Sequence, residues 1–225
     1  MNTNHIVKSY DAELRRLTDE IAEMGKAALS RVDSALQALV QGDSVLARSV
    51  IDGDDAIDVR EREISHEVLR LLALRQPSAR DLREVLAALR TAGDIERVAD
   101  HAVGIARTSL AMAGADNGLP DGLTELGVAV TDLVRQALQA WRGSDVALAR
   151  VAWLGDDAVD RMHGALSREL LERLRLGDDD PVRVAHWLYV AKGLERIGDH
   201  ATNIAENISF MVEGRWEMAN PENTY

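Results

Sequence analysis

The stretch LQALVQGDSVLARSVIDGDDAID, residues 36–58, returns 102 residues later as LQAWRGSDVALARVAWLGDDAVD, residues 138–160. A second match follows at an offset of 99, where ERVADHA at residues 96–102 corresponds to ERIGDHA at residues 195–201. The change of offset falls in a turn-rich segment between the matches, where a change in length costs little. Gapless matches of this kind indicate a duplicated structural unit.

Each half carries the apolar pattern of three long helices. Val50, Ile57, Ile64 and Leu71 recur every seven residues, which is the spacing of a bundle seam. The predicted helices span residues 6–40, 43–74 and 78–112 in the first half and residues 123–141, 145–176 and 182–212 in the second. The sequence therefore predicts an all-α fold, a tandem duplication of an up-down three-helix bundle with six long helices.

The domain boundaries follow from the punctuation of the chain. Residues 1–115 form the first predicted three-helix bundle, residues 119–218 form the second, and residues 219–225 form a polar tail. The stretch GADNGLPDG at residues 114–122 is rich in turn residues and is interpreted as the linker between the halves. Capping residues and an N1 proline mark the other predicted helix starts.

Composition excludes several classes of protein. The chain has no cysteine, which removes disulfides, thiolate metal sites and cysteine nucleophiles. Its net charge of −12 opposes binding to a phosphate backbone, so we expect no nucleic-acid partner. The N-terminal residues have no apolar core typical of a secretory signal, and no apolar run approaches the ~20 residues of a membrane span. We expect a soluble, cytoplasmic protein.

Acidic residues interrupt the seam of the second predicted helix. Asp54 and Glu61 lie at seam positions where an apolar bundle would place leucine, and Asp58 lies one turn after Asp54 on the same face. The matching residues of the second half are Asp156, His163 and Asp160. Buried carboxylates are costly unless a cation or a hydrogen-bond donor compensates them.

The third and sixth predicted helices carry matching acidic ladders. Glu96 and Asp100 are four residues apart and share a helix face, as do Glu195, Asp199 and Asn203. In an antiparallel hairpin each ladder comes level with the acids of the preceding helix. The candidate metal ligands are Asp54, Asp58, Glu61, Glu96 and Asp100 in the first half and Asp156, Asp160, His163, Glu195, Asp199 and Asn203 in the second.

The oxygen-rich character of these ladders favours hard metal ions. The candidate cofactor is a divalent or iron-type ion, namely Fe, Mn, Mg, Zn or Ca. The alternative interpretation is a solvated acidic face answered by Arg97 and Arg196. His101 and His200 follow the motif aspartates but point about 100° away from them, so they are interpreted as bundle or surface residues.

Three motifs of the sequence resemble those of a known family. The motifs RQPSARDLR at residues 75–83, IERVAD at residues 95–100 and LERIGD at residues 194–199 are similar to those of the PhoU family, and the resemblance covers residues 10–212. It implies two tandem three-helix bundles with approximate two-fold symmetry and metal clusters held by E(D)xxxD motifs. Glu96, Asp100, Glu195 and Asp199 match that motif directly.

The resemblance also implies a role. PhoU proteins are accessory to the phosphate-specific ABC transporter and its phosphate-sensing histidine kinase, they hold the phosphate-starvation response off when phosphate is plentiful, and many form homodimers. Asn203 matches an often polar position, but Gly104 stands in its place in the first half. We therefore expect the first metal site to have fewer ligands or a weaker metal.

These observations predict a metal-binding regulatory adaptor of phosphate homeostasis rather than an enzyme. It would be a negative regulator of the starvation response, acting on the transporter ATPase and the kinase and reaching the membrane only through them. A ferritin-like di-metal protein is one alternative, but such bundles need a pair of ExxH motifs. The chain has one ExxH motif, Glu63–His66. The equivalent residues of the second half, 165–168, do not form an ExxH motif. A metal-free helical adaptor is the other alternative.

Overall fold

The structure is a computed structural model that describes residues 3–74, 78–114, 118–216 and 218. Residues 75–77 of the turn-rich segment between the two matches lie outside the described residues, as do part of the predicted linker (residues 115–117) and the predicted tail, residues 219–225.

Helices make up each half of the molecule. The first half contains α1 (Thr3–Gln41), α2 (Ser44–Asp52), α3 (Asp55–Leu74) and α4 (Ala79–Ala111). The second contains α5 (Asp121–Gly143), α6 (Val146–Leu176) and α7 (Pro181–Glu213). Since α2 and α3 follow each other across one short turn, each half is a three-helix bundle. The predicted all-α duplicated fold is confirmed, and no strand occurs in the described ranges.

The predicted helix over residues 43–74 is interrupted where α2 gives way to α3. The amide of Asp54 bonds the Ile51 carbonyl and the amide of Ile57 bonds the Asp54 carbonyl, both of them three-residue steps. Such tight steps close a 3₁₀-like turn rather than continuing the α-helix. The second half has the same GDD motif within the unbroken helix α6, so the motif alone does not end the helix.

Side-chain caps fix the starts of α2, α4 and α6. Asp43 accepts the amides of Val45 and Leu46 at the start of α2, and Asp145 accepts the amide of Leu148 at the start of α6. Ser78 and Asp81 form a reciprocal capping box at α4. These caps satisfy amides that have no partner inside the helix, and they occur where the sequence predicted them.

The two halves share one continuous apolar core. Helix α4 packs along α7, and α1 packs against α5, so both contacts join one half to the other. Trp141 is fully buried and its indole donates to the Thr18 carbonyl at 3.3 Å across the junction. The motif helices α4 and α7 therefore lie side by side at the centre. No described helix has the length and apolarity needed to cross a membrane.

Candidate metal centres

The first-half cluster consists of Asp54, Asp58, Glu61, Glu96 and Asp100. Asp54 lies in the turn between α2 and α3, Asp58 in the first turn of α3, and Asp100 on α4. One carboxylate oxygen of each of these three aspartates lies within 4.8 Å of the other two. Oxygens at this spacing can share one hard cation.

The two glutamates lie next to the aspartates of the first-half cluster. Burial raises the pKa of Glu96, and the charges of Asp100, Asp58 and Glu61 raise it further, while Arg97 lowers it. Glu61 accepts a hydrogen bond from the Ser65 hydroxyl at 2.7 Å. Glu61 and Glu96 also line one open cavity of about 630 Å³. All five predicted first-half acids therefore come to one height of the bundle.

A cation from α1 already stands beside this cluster. Arg31 Nη1 lies 3.1 Å from Asp54 Oδ1, and the two side chains are only 13% and 26% exposed. Burial raises the pKa of Asp54, as do Asp58 and Asp100, while Arg31 and Arg107 lower it. Sequence reasoning missed Arg31 because it compared only the two helices of the hairpin. The available signal was the repeat itself, which aligns Arg31 with Leu133.

The second-half cluster consists of Asp156 and Asp160 on α6 with Glu195 and Asp199 on α7. Burial raises the pKa of Asp156 to about 6, with Asp160 as the next contributor and Asp199 a smaller one, while a hydrogen bond with the Thr202 side chain lowers it. Burial also raises the pKa of Asp199, as do the charges of Glu195 and Asp160, while Lys192 and Arg196 lower it. Each carboxylate therefore lies within the field of its neighbours, as the antiparallel pairing of helices predicted.

Two oxygens of the second-half cluster are buried without a hydrogen-bond partner in the described part of the chain. They are Asp156 Oδ1 and Glu195 Oε2. Gly198 leaves the space for the first of them, since a Cβ there would stand 3.1 Å from Asp156 Oδ1. A buried carboxylate oxygen without a donor is costly, and a bound cation would remove that cost. The donor set in both halves fits a hard, oxygen-loving metal ion.

The remaining candidate ligands lie differently. His163 is half-buried on α6, and its role as a ligand stays a prediction. Asn203 donates from its amide nitrogen to Asp94 Oδ1 at 3.0 Å, across the contact between α4 and α7. Asn203 as a metal ligand likewise stays a prediction. Asp94, which it contacts, is not one of the predicted metal ligands.

Asp94 is the centre of a polar network that joins the two halves. Its carboxylate meets His200 Nδ1 at 3.0 Å and accepts the Asn207 amide at 3.1 Å. The ring of His101 stacks on that of His200 with centroids 5.7 Å apart. Both histidines therefore lie in the junction between the halves. Asp94 belongs to no motif, so the sequence carried no signal for this network.

The single ExxH motif lies away from both clusters. Glu63 and His66 line an open groove on α3 together with Val59, Arg62, Glu67 and Arg70. This groove contains two arginines and none of the predicted metal ligands. A di-metal centre of the ferritin type would need Glu63 and His66 to point into the bundle.

Comparison with known proteins identifies relatives along the whole chain. A family model described as the PhoU domain matches residues 21–109 and 123–208, one match in each half. A phosphate-specific transport system accessory protein PhoU homolog from Xylella fastidiosa (strain 9a5c) is 43% identical over 222 residues, 95% of this chain and 92% of that protein. A protein of the same name from Caulobacter vibrioides (strain NA1000 / CB15N) is 41% identical over 215 residues, 94% and 93% of the two chains.

Solved structures agree with the sequence matches. The crystal structure of PhoU from Pseudomonas aeruginosa matches with a TM-score of 0.86 and 35% identity, over 91% of this chain and 99% of that one. The phosphate transport system regulatory protein PhoU from Streptococcus pneumoniae matches with a TM-score of 0.86 and 28% identity, over 93% of this chain and 100% of that one. On its duplicated fold, its paired motif helices and these matches, the chain belongs to the PhoU family.

Proposed function

We propose that this chain is a metal-binding regulatory adaptor of phosphate homeostasis. Two observations carry the metal-binding part. In the first half three aspartates converge within 4.8 Å of one another, and in the second half two carboxylate oxygens are buried without a hydrogen-bond partner among the described residues. Similarity to proteins named as accessory to the phosphate-specific transport system supports the regulatory part.

A divalent or iron-type ion would be held by the carboxylates of two neighbouring helices in each half. Asp54, Asp58 and Asp100 would hold it in the first half, together with the neighbouring Glu96 and Glu61. Asp156, Asp160, Glu195 and Asp199 would hold it in the second. The ion supplies positive charge that relieves the repulsion among these acids, and it thereby joins α3 to α4 and α6 to α7.

The proposed partners are the ATPase of the phosphate ABC transporter and the phosphate-sensing histidine kinase. The chain would work as a cytoplasmic homodimer, would reach the membrane only through these partners, and would hold the starvation response off while phosphate is plentiful. Its helices carry exposed charged faces, which suit reversible contacts with other proteins. This is an adaptor and not a catalyst.

Metal analysis tests the binding sites. Glu96→Ala with Asp100→Ala should remove the first-half metal and leave the second, and Glu195→Ala with Asp199→Ala should do the reverse. Glu169→Ala with Glu172→Ala is the matched control, because these two acids of α6 are 57% and 53% exposed and lie outside both clusters. Elemental mass spectrometry after purification without chelator is the measurement. Unchanged metal content in both double variants would contradict the assignment.

A reporter experiment tests the regulatory role. Deleting the gene should switch on phosphate-starvation reporters in rich phosphate medium, and the wild-type gene supplied in trans should silence them again. The control double variant should silence the reporter as well as the wild type does. A reporter that stays fully repressed in the deletion strain would contradict the proposed role, whatever the metal content of the protein.

A further inference from the structure

Arg31 of α1 and Leu133 of α5 occupy the same place in the two halves. They are equivalent in the repeat at its offset of 102. A Cβ added to Gly53 would stand 3.1 Å from Arg31 Nη2, and one added to Gly155 would stand 2.8 Å from Leu133 Cδ1. Each side chain therefore lies against the glycine that precedes the first aspartate of its cluster.

The first half gains two guanidinium groups that the second half lacks. Arg31 pairs with Asp54 at 3.1 Å, and Arg107 of α4 also acts on Asp54 through its charge. At the offset of 99 that relates the motif helices, the counterpart of Arg107 is Glu206. Glu206 accepts the indole N–H of Trp153 at 3.1 Å and adds a negative charge to its half.

The cations near the second-half acids do not replace the positive charge that Arg31 supplies beside Asp54. Arg97 and Arg196 are repeat equivalents and are present in both halves. Lys192 reaches Glu195 Oε1 at 2.6 Å from the solvent side, with 49% of its side chain exposed, and leaves Glu195 Oε2 unpaired. Asp156 Oδ1, the other buried oxygen of the second-half cluster, also has no hydrogen-bond partner among the described residues.

We propose that Arg31 is a built-in cation that competes with a divalent metal ion for Asp54, so that the two metal sites are unequal. The inference rests on the proposed metal binding of the clusters. The second-half site fills first, and the first-half site fills only at higher metal concentration. A metal ion entering the first half must either displace Arg31 from Asp54 or bear its repulsion at short range, and both weaken binding.

The close approach of oxygens in the first half fits this mechanism. Asp54, Asp58 and Asp100 approach one another within 4.8 Å while a guanidinium lies beside them. A neighbouring positive charge offsets part of the repulsion between like charges that lie close together. In the second half Leu133 supplies no charge, so the bound ion has to offset the repulsion among the carboxylates.

Manganese titration of single-site proteins tests the proposal. Glu195→Ala with Asp199→Ala leaves only the first site, and Glu96→Ala with Asp100→Ala leaves only the second. Isothermal titration with Mn²⁺ in these two backgrounds should give a dissociation constant at least about tenfold larger for the first site, the scale on which groups next to a metal site alter affinity.

Substitutions at Arg31 then identify the cause. In the first-site background, Arg31→Leu and Arg31→Gln should each tighten Mn²⁺ binding at least about tenfold. Arg31→Lys keeps the positive charge, so Mn²⁺ binding at the first site should stay weak. Arg16→Leu is the matched control, since Arg16 is also on α1, pairs with Glu20 and is 70% exposed. Its removal changes the net charge equally and should leave the affinity unchanged.

The reciprocal substitution and the melting temperature supply independent readouts. Leu133→Arg in the second-site background should weaken Mn²⁺ binding, but Leu133 is 4% exposed and this variant is used only if it melts cooperatively. Without metal, Arg31→Leu should melt lower than Arg16→Leu because Asp54 loses its partner. Mn²⁺ should raise the melting temperature of Arg31→Leu more than that of the wild type in the same background.

The outcomes separate this inference from the proposed function. Equal affinities at the two sites, or a first site that does not respond to Arg31→Leu and Arg31→Gln, would overturn the inference and leave metal binding standing. Absence of Mn²⁺ binding in both backgrounds would overturn the inference together with the metal-binding part of the proposed function.

Discussion

The two halves carry the same acidic motif in different electrostatic surroundings. In the first half burial and the charges of Asp58 and Asp100 raise the pKa of Asp54, and Arg31 and Arg107 offset part of that rise. In the second half, burial and Asp160 raise the pKa of Asp156 to about 6 against the lowering effect of a Thr202 hydrogen bond, and Leu133 occupies the position equivalent to Arg31. A duplicated motif therefore does not guarantee a duplicated site, because the residues beside the motif diverged after duplication.

The backbone differs at the same place. The GDD motif forms a turn between α2 and α3 in the first half and continues the helix α6 in the second. Gly53 at that turn faces the guanidinium of Arg31, whereas Gly155 faces the isobutyl group of Leu133. The local motif is identical, so the surroundings decide the local conformation.

The largest expected effect is that of metal removal on stability. A ligand that binds only the folded state stabilises it by about 2.7 kcal/mol at a hundred times its dissociation constant. Chelation should therefore lower the melting temperature of the wild type by several degrees. It should leave the variant lacking Glu96, Asp100, Glu195 and Asp199 nearly unchanged in differential scanning calorimetry. Equal shifts for both proteins would place the stabilising metal elsewhere.

Neutralising the first aspartate of each cluster should have opposite effects in metal-free protein. The pKa of Asp156 is raised on folding, so the wild type loses stability as pH rises from about 4 to about 6. Asp156→Asn should remove that loss and gain about 1 kcal/mol at pH 7, after allowance for solvent screening.

Asp54→Asn should instead destabilise the metal-free protein, by about 1 kcal/mol. The pKa of Asp54 is also raised, which favours the neutral side chain, but the substitution takes away the carboxylate that faces the nearly buried Arg31. Chemical denaturation of the two variants and the wild type between pH 4 and pH 8, with chelator present, is the measurement. A gain in stability for both would mean that Arg31 does not distinguish the halves.

A smaller effect should follow from exchanging Gly198 with its repeat counterpart, Ala99. In Gly198→Ala the new Cβ would stand 3.1 Å from Asp156 Oδ1 and 3.3 Å from Val159, so the carboxylate must shift. Mn²⁺ affinity of the second site should fall by roughly threefold, while the better helix propensity of alanine, about 1 kcal/mol, offsets the strain.

Ala99→Gly is the reciprocal control. It should cost about 1 kcal/mol of unfolding free energy through lost helix propensity. Titration calorimetry should show no change of Mn²⁺ affinity at the first site. If Gly198→Ala left the second site unaffected, the space at Gly198 would have no part in holding Asp156.

The smallest expected difference concerns the helix caps. Asp43 accepts two amides at the start of α2, and its repeat counterpart Asp145 accepts one at the start of α6. Asp43→Ala and Asp145→Ala should each cost about 1 kcal/mol. Urea denaturation should show Asp43→Ala as the slightly more costly of the two. The reverse order would mean that the number of capped amides does not set the cost.

Much of the candidate site could be predicted from spacing. Acids four residues apart share a helix face, and antiparallel helices bring equivalent heights together, so the spacing alone groups Asp54, Asp58, Glu96 and Asp100. The expectation of a weaker first site also came from the sequence, through Gly104. The contact of Arg31 with Asp54 could not be predicted in this way, because Arg31 lies on α1, outside the hairpin of helices that carries the acidic residues.

Apart from the break between α2 and α3, the sequence by itself determined the helices, their caps, the duplication and the two acidic ladders, because these follow from periodicity and from chain-local hydrogen bonding. Only the tertiary structure decided what each ladder faces. The Arg31–Asp54 pair, the space at Gly198 and the Asp94 network all depend on how α1 meets the hairpin and how α4 meets α7. These are contacts between residues distant in the chain, and their geometry is set by the packing of side chains between helices.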